Sequence, residues 1–204
     1  MTKHKRAGRI PEHLRDRVSL SVAPWDWLSK ARQLRRAADL LFISFEAEQE
    51  KYDRNPSDDA PIPDDSALVL LIGFAVENLL KGLYVTKCQT NKIKNMNAPN
   101  IPGSGHQLLP IIEELQGSPL SFTFSTEERD ILDVLEHTVL WSGRYPSARD
   151  IDDLIPMNEG GGFKKFYFHY PQDYFAALRL FDRIESALAD RAQAPAKSDP
   201  FGLP

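Results

Sequence analysis

The segment from Asp64 to Lys87 sets the terms for the rest of the chain. Its residues Leu68, Leu71, Ile72, Val76, Leu79, Leu80 and Leu83 are spaced so that apolar side chains project in nearly every direction around a helix. A surface helix needs one apolar stripe; a helix apolar nearly all round must be surrounded by other elements. Asp64, Asp65 and Ser66 at its start can each satisfy unpaired amides of the first turn. Its strongly apolar part, Ala67 to Val76, is followed by Glu77, Asn78 and Lys81, which reads as too short and interrupted for a membrane span. The expectation is a buried rod at the centre of a bundle.

Four further segments supply companions for that rod. From about Pro24 to Tyr52, Trp25, Leu28, Ala31, Leu34, Ala38, Leu41 and Phe45 recur at three and four, with Pro24 in the opening turn and a charged opposite face. Three prolines and four aspartates between Asn55 and Asp65 then form an exposed loop. After a polar connection over 88–104, a third helix runs from about His106 to Leu115 and is ended by Gly117. Ser125 followed by Glu128 is a capping-box pattern, and it opens a fourth helix that carries Ile131, Leu132, Leu135, Val139 and Leu140 to about Gly143. A fifth, about Pro171 to Ala192, spaces Phe175, Leu178, Phe181, Ile184 and Leu188 for burial. The fold class is all-α: a bundle of four to five helices, with a short aromatic hairpin or loop before the last. Residues 1–23 read as a basic flexible arm, 24–192 as the bundle and 193–204 as a disordered tail.

At 204 residues the chain can form one core that buries roughly 70% of the surface exposed on unfolding. A single cysteine, Cys88, excludes an intramolecular disulfide and a cysteine zinc cage. A net charge of −4 argues against coating nucleic acid by bulk electrostatics but leaves room for a local basic patch. Residues 1–20 hold six basic against two acidic side chains and no signal-peptide core, so the expected location is the cytoplasm, with no membrane association.

The polar residues that can carry chemistry are few. Glu77 and Lys81 stand four apart on the apolar rod, an arrangement that suits an intrahelical ion pair or a reactive site, with Gly73 on the same stripe admitting a close neighbour. Val134, His137, Trp141 and Arg144 follow at three, four and three. On one face, Arg144 could hold a phosphate while His137 moves a proton; alternatively His137 is a satisfied half-buried ring and Arg144 caps its own helix. His106 follows Gly103, Ser104 and Gly105, where its ring could bind a backbone group and stiffen the turn. Phe163 to Tyr170 interleaves rings with Lys164 and Lys165, either as a stacking surface for single-stranded nucleic acid or as an aromatic hairpin laid on the bundle. The five histidines are too scattered for a metal site, and no cofactor is expected.

Three stretches resemble the HEPN superfamily of small helical domains found in prokaryotic toxins, defence systems and nucleotidyltransferase-associated proteins. They are Gly73 to Leu83, the Gly105-His106-Gln107-Leu108-Leu109 entry to a helix, and Trp141-Ser142-Gly143-Arg144-Tyr145-Pro146. The resemblance spans about residues 24–190 and implies a four- or five-helix bundle that dimerises. In many members it also implies a metal-independent endoribonuclease site, carried by an Arg followed after four to six residues by a His. Here the corresponding places after Arg144 hold Arg149, Asp150 and Ile151, and His137 precedes Arg144.

The expected function is therefore a HEPN-like, dimeric domain that binds RNA, a nucleotide or a partner protein such as a nucleotidyltransferase, in a prokaryotic defence or toxin-antitoxin setting. Glu77, Lys81, His106, Tyr145, Lys164 and Lys165 are its candidate binding residues. The alternatives are a metal-independent endoribonuclease using His137 and Arg144, and a purely structural interaction module.

Overall fold

In a computed structural model of the chain, the described residues are 23–56, 62–90, 101–102, 105–116, 122–142 and 168–192. They form five helices, and no strand occurs among them: α1 (Pro24–Arg54), α2 (Ser66–Thr90), α3 (Leu109–Gln116), α4 (Thr126–His137) and α5 (Gln172–Ala189). A π-helical turn, Thr138–Ser142, continues α4. The chain is an all-α bundle. The expected basic arm, the aromatic stretch up to Tyr167 and the tail from 193 lie outside the described residues.

Helix α2 packs against every other helix and against the π turn. Ile72, Val76, Leu79 and Leu80 are fully buried along it, with Leu68 and Leu83 nearly so and Leu71 half-buried. By length and composition Ser66–Cys88 could cross a membrane, contrary to the expectation drawn from Ala67 to Val76, because the apolar character resumes beyond Glu77 and Lys81. Yet 67% of its most apolar window is buried inside the protein, as in the core helix of a bundle.

Two glycines let neighbours approach α2 closely. A Cβ on Gly73 would lie 2.4 Å from Cγ2 of Val139 in the π turn; one on Gly82 would lie 2.6 Å from Cδ2 of Leu188 and 3.0 Å from Cβ of Trp27. The absence of a side chain is thus what permits α1, α5 and the π turn to seat against the rod.

Local capping follows the sequence. The Ser66 hydroxyl and then its amide, which donates to Asp64 at 2.9 Å, hold the Asp64 carboxyl below its usual range, while burial and the Asp64 charge push Asp65 up. The capping box is present at α4: Glu128 N–H donates to Ser125 Oγ at 3.2 Å and Ser125 N–H to Glu128 Oε2 at 2.8 Å. Arg183 of α5 reaches the same glutamate at 2.7 and 2.8 Å, which ties two helices at this cap.

Three buried stripes differ from expectation. Phe175 and Leu41 are exposed at 46% and 39%, and Tyr174 and Phe42 take their places, stacked with ring centroids 4.4 Å apart. The difference is confined to these positions: Leu28, Ala31, Ala38 and Phe45 on α1 and Phe181, Ile184 and Leu188 on α5 are buried as the spacing predicts, while the stacked rings of Phe42 and Tyr174 fill the seam between them. Leu140, expected inside, is 39% exposed in the wider π turn, whereas Val139 beside it is fully buried as expected. The outer face of α1 is also not simply charged: Leu40 and Ile43 stand in solvent there.

Candidate functional site

The most concentrated polar chemistry in the described core is built on α2. Glu77 is 3% exposed in a helix whose neighbouring positions Ala75, Val76, Leu79 and Leu80 are sealed from water. A lone carboxylate there would be strongly disfavoured, so its surroundings must supply both charge and hydrogen bonds. Lys81, one turn on, donates its ammonium to Glu77 Oε1. Its side chain is only 15% exposed, and it makes a second hydrogen bond, to the Gly105 carbonyl at 3.1 Å. The expected intrahelical pair is present, extended by a third and a fourth partner.

The third partner is His106. Its Nδ1 lies 2.9 and 3.1 Å from the two oxygens of Glu77. A carboxylate only accepts, so Nδ1 carries the proton and donates. Nε2 is then left on the side of the ring away from the carboxylate, and the side chain is 37% exposed. Phe74, one turn before Asn78 on α2, meets the ring edge-on at 5.4 Å. The ring is thus fixed by a charge from beneath and an aromatic edge, not by a backbone group as the sequence suggested.

Gly105 makes the geometry feasible. Its φ of +74° lies in the left-handed region that residues with a Cβ adopt at a cost, and this turn aims its carbonyl at Lys81 while sending His106 toward Glu77. Immediately after, Glu136 of α4 accepts the Leu108 and Leu109 amides, the latter at 2.8 Å, and so satisfies the amino end of α3. The last turn of α4 is therefore anchored to the loop that carries His106, and His137 follows Glu136 directly.

His137 is half-buried with Nε2 shielded from solvent. The π turn that begins at Thr138 holds more residues per turn than an α-helix, so the α-helical spacing assumed from the sequence does not hold beyond His137. Thr138 Oγ1 donates back to the Val134 carbonyl at 2.9 Å, a bond that competes with regular helix geometry at this point. Of the other candidates, Arg144, Tyr145, Lys164 and Lys165 lie outside the described residues.

The structure thus joins Glu77, Lys81 and His106, and brings the α4 turn bearing His137 to the same end of the bundle. Sequence reasoning missed the contact across 29 positions between His106 and Glu77 and the anchoring role of Glu136. The only available signal was the glycine-rich approach to His106, which marks a turn without naming its target. Among the described residues no group of three His, Cys, Asp or Glu side chains is placed to hold a metal ion.

Chemically, the cluster is a buried, self-neutralising ion pair that orients one imidazole. Lys81 spends its charge on Glu77 and the Gly105 carbonyl and is not presented to solvent as a free cation. Of the three side chains His106 is the most exposed, and its Nε2 is the ring nitrogen not bonded to Glu77. Compared with protein-family models, curated proteins and solved structures, the chain matches none.

Proposed function

We propose that this protein is a HEPN-like helical domain that binds RNA in the cytoplasm, in a prokaryotic defence or toxin-antitoxin setting, with His106 at the contact. The observation that carries the reading is the fixing of that ring: Glu77 and Lys81 hold one imidazole, at the end of the bundle where α3 begins and α4 ends. An oriented, partly exposed imidazole beside a turn is suited to a phosphate oxygen or a base edge. If RNA is cut as well as held, a histidine oriented by a carboxylate favours His106 as the proton-transfer group, with His137 and Arg144, singled out by their spacing along the sequence, as the alternative pair.

The test is filter binding of labelled RNA in EDTA across a salt series. Wild type should bind with an affinity that falls steeply as salt rises, because phosphate contacts release counterions. His106→Ala should weaken binding while the protein stays folded; if RNA is cut, cleavage lost in His106→Ala but kept in His137→Ala and Arg144→Ala assigns the proton transfer to His106, and the reverse assigns it to the alternative pair. No RNA retention at low salt, or retention indifferent to His106, sinks the reading.

A second reading, an interaction module whose partner is a protein such as a nucleotidyltransferase, is favoured by the self-neutralised state of the cluster. Under it, Glu77→Gln lowers the melting temperature, RNA does not bind at physiological salt, and gel filtration is unchanged by total RNA.

A further inference from the structure

Helix α1 carries a second stripe, on the side away from α2. Arg36, Leu40, Ile43, Ala47, Glu50 and Arg54 follow one another at four, three, four, three and four, the 3.5-residue period of a seam between two helices. All six are exposed, Leu40 at 67% and Ile43 at 66%. Two large apolar residues side by side in water, on a helix already anchored by its other face, mark a surface that something covers.

The charges on the seam identify the occupant. Arg36 lies seven residues before Ile43 and Glu50 seven after it, so the three share one line along the helix. Two copies of α1 laid parallel would set Arg36 against Arg36 and Glu50 against Glu50. Laid antiparallel about a two-fold axis at Ile43, each Arg36 meets the partner's Glu50, Ile43 meets its own counterpart, and Leu40 lies over the partner's Ala47. The whole helix repeats this polarity: residues 24–39 hold four basic against two acidic side chains, and residues 40–54 hold four acidic against two basic. Glu50 now bonds Arg54 at 2.7 Å, an exposed pair with little to hold it, and Arg36 has no ion-pair partner among the described residues.

We propose that α1 is the contact between two copies of this chain, which cross antiparallel about a two-fold axis at Ile43. The argument uses only the exposed residues of α1 and does not rest on the RNA reading; it gives a location to a dimer that the HEPN resemblance only implies.

Sedimentation velocity over a wide concentration range tests it. The full chain should sediment as a dimer that dissociates on dilution. Arg36→Glu and Glu50→Arg should each shift it to monomer, and the double variant, with the charges exchanged, should restore the dimer. All three should keep the wild-type melting temperature measured on dilute monomer, because both side chains are exposed. Ile43→Cys should also cross-link to itself on mild oxidation, whereas Arg36→Cys should cross-link only when mixed with Glu50→Cys. A wild type that stays monomeric at the highest concentration overturns the proposal. A dimer that survives both single charge reversals also overturns it, and then the dimer contact lies elsewhere while the HEPN reading stands.

Discussion

Helices α1 and α2 have similar sequences in one respect: both place leucine, isoleucine and phenylalanine at helical spacing. They use them differently. On α2 nearly all of these side chains are inside, because helices lie on every side of it; on α1, which touches α2 and α5, Leu40, Leu41 and Ile43 remain in water. The polar residues follow the same division. Those of α2 are engaged one by one: Glu77 by Lys81 and His106, Asn78 by the Phe74 carbonyl at 2.7 Å, Thr86 by the Gly82 carbonyl at 2.9 Å. Those of α1 form exposed pairs, within one turn as Gln49 with Asp53 at 2.8 Å or across to α5 as Arg32 with Glu185 at 2.6 Å. The lesson is that a residue type has no fixed energetic meaning; the number of neighbours around its helix decides whether its loss is felt.

That contrast is most exposed to failure at Glu77. Glu77→Gln leaves Lys81 and His106 without their shared anion, and breaking a buried pair in this way costs about 3–5 kcal/mol, toward the lower end here because Lys81 can still reach water. Removing an α1 pair, Glu50→Gln, should change stability by less than about 0.5 kcal/mol. Chemical denaturation of both variants measures the difference, and equal losses would remove the distinction between the two helices.

A matched apolar pair comes next. Leu79→Ala, at a fully buried position, should cost about 2–5 kcal/mol, while Leu40→Ala should stay within about 0.5 kcal/mol in dilute monomer. A smaller effect is expected at Gly73→Ala, where the added methyl meets Val139 at 2.4 Å; overpacking of this kind costs about 1–3 kcal/mol. If instead Gly73→Ala stabilises the protein, the π turn has room to yield and the close seat of α2 is not required.

The smallest effect concerns the seam where α1 meets α5. Burial, reinforced by the nearby Asp39 charge, pushes the Tyr174 phenol from its ordinary 10.0 up to about 12. The neutral form is therefore favoured in the folded state. Its contribution is complete below pH 10 and is lost as pH rises through 12, the unfolded chain releasing the proton first. The urea midpoint of wild type should fall more steeply across that window than that of Tyr174→Phe; parallel curves would show that Tyr174 does not sense the seam.

Much of the bundle was legible because its signals are local. The all-round apolar character of α2, the Ser125–Glu128 box, Asp64 before Ser66 and the glycine at 73 each act within a turn or on a single contact face. What was misread was local: the stripes of α1 and α5 were placed correctly through most of their length, but Leu41 and Phe175 were assigned inward where the stacking of Phe42 on Tyr174 takes the seam instead. The π turn was invisible for a similar reason, since one extra residue per turn leaves no mark on composition. At the candidate site, Glu77 and Lys81 were readable as a pair, whereas His106 as their partner was not.

By itself the sequence determined that the chain forms helices, which of them is central and where most of them start, because these follow from side-chain solubility and from hydrogen bonds made within a few residues. Only the tertiary structure decided that His106 meets Glu77, that Glu136 caps α3 and that the Leu40–Ile43 stripe faces outward. Such contacts depend on the relative rotation and approach of whole helices. Those are set by the summed fit of many side chains, and no segment contains that sum alone.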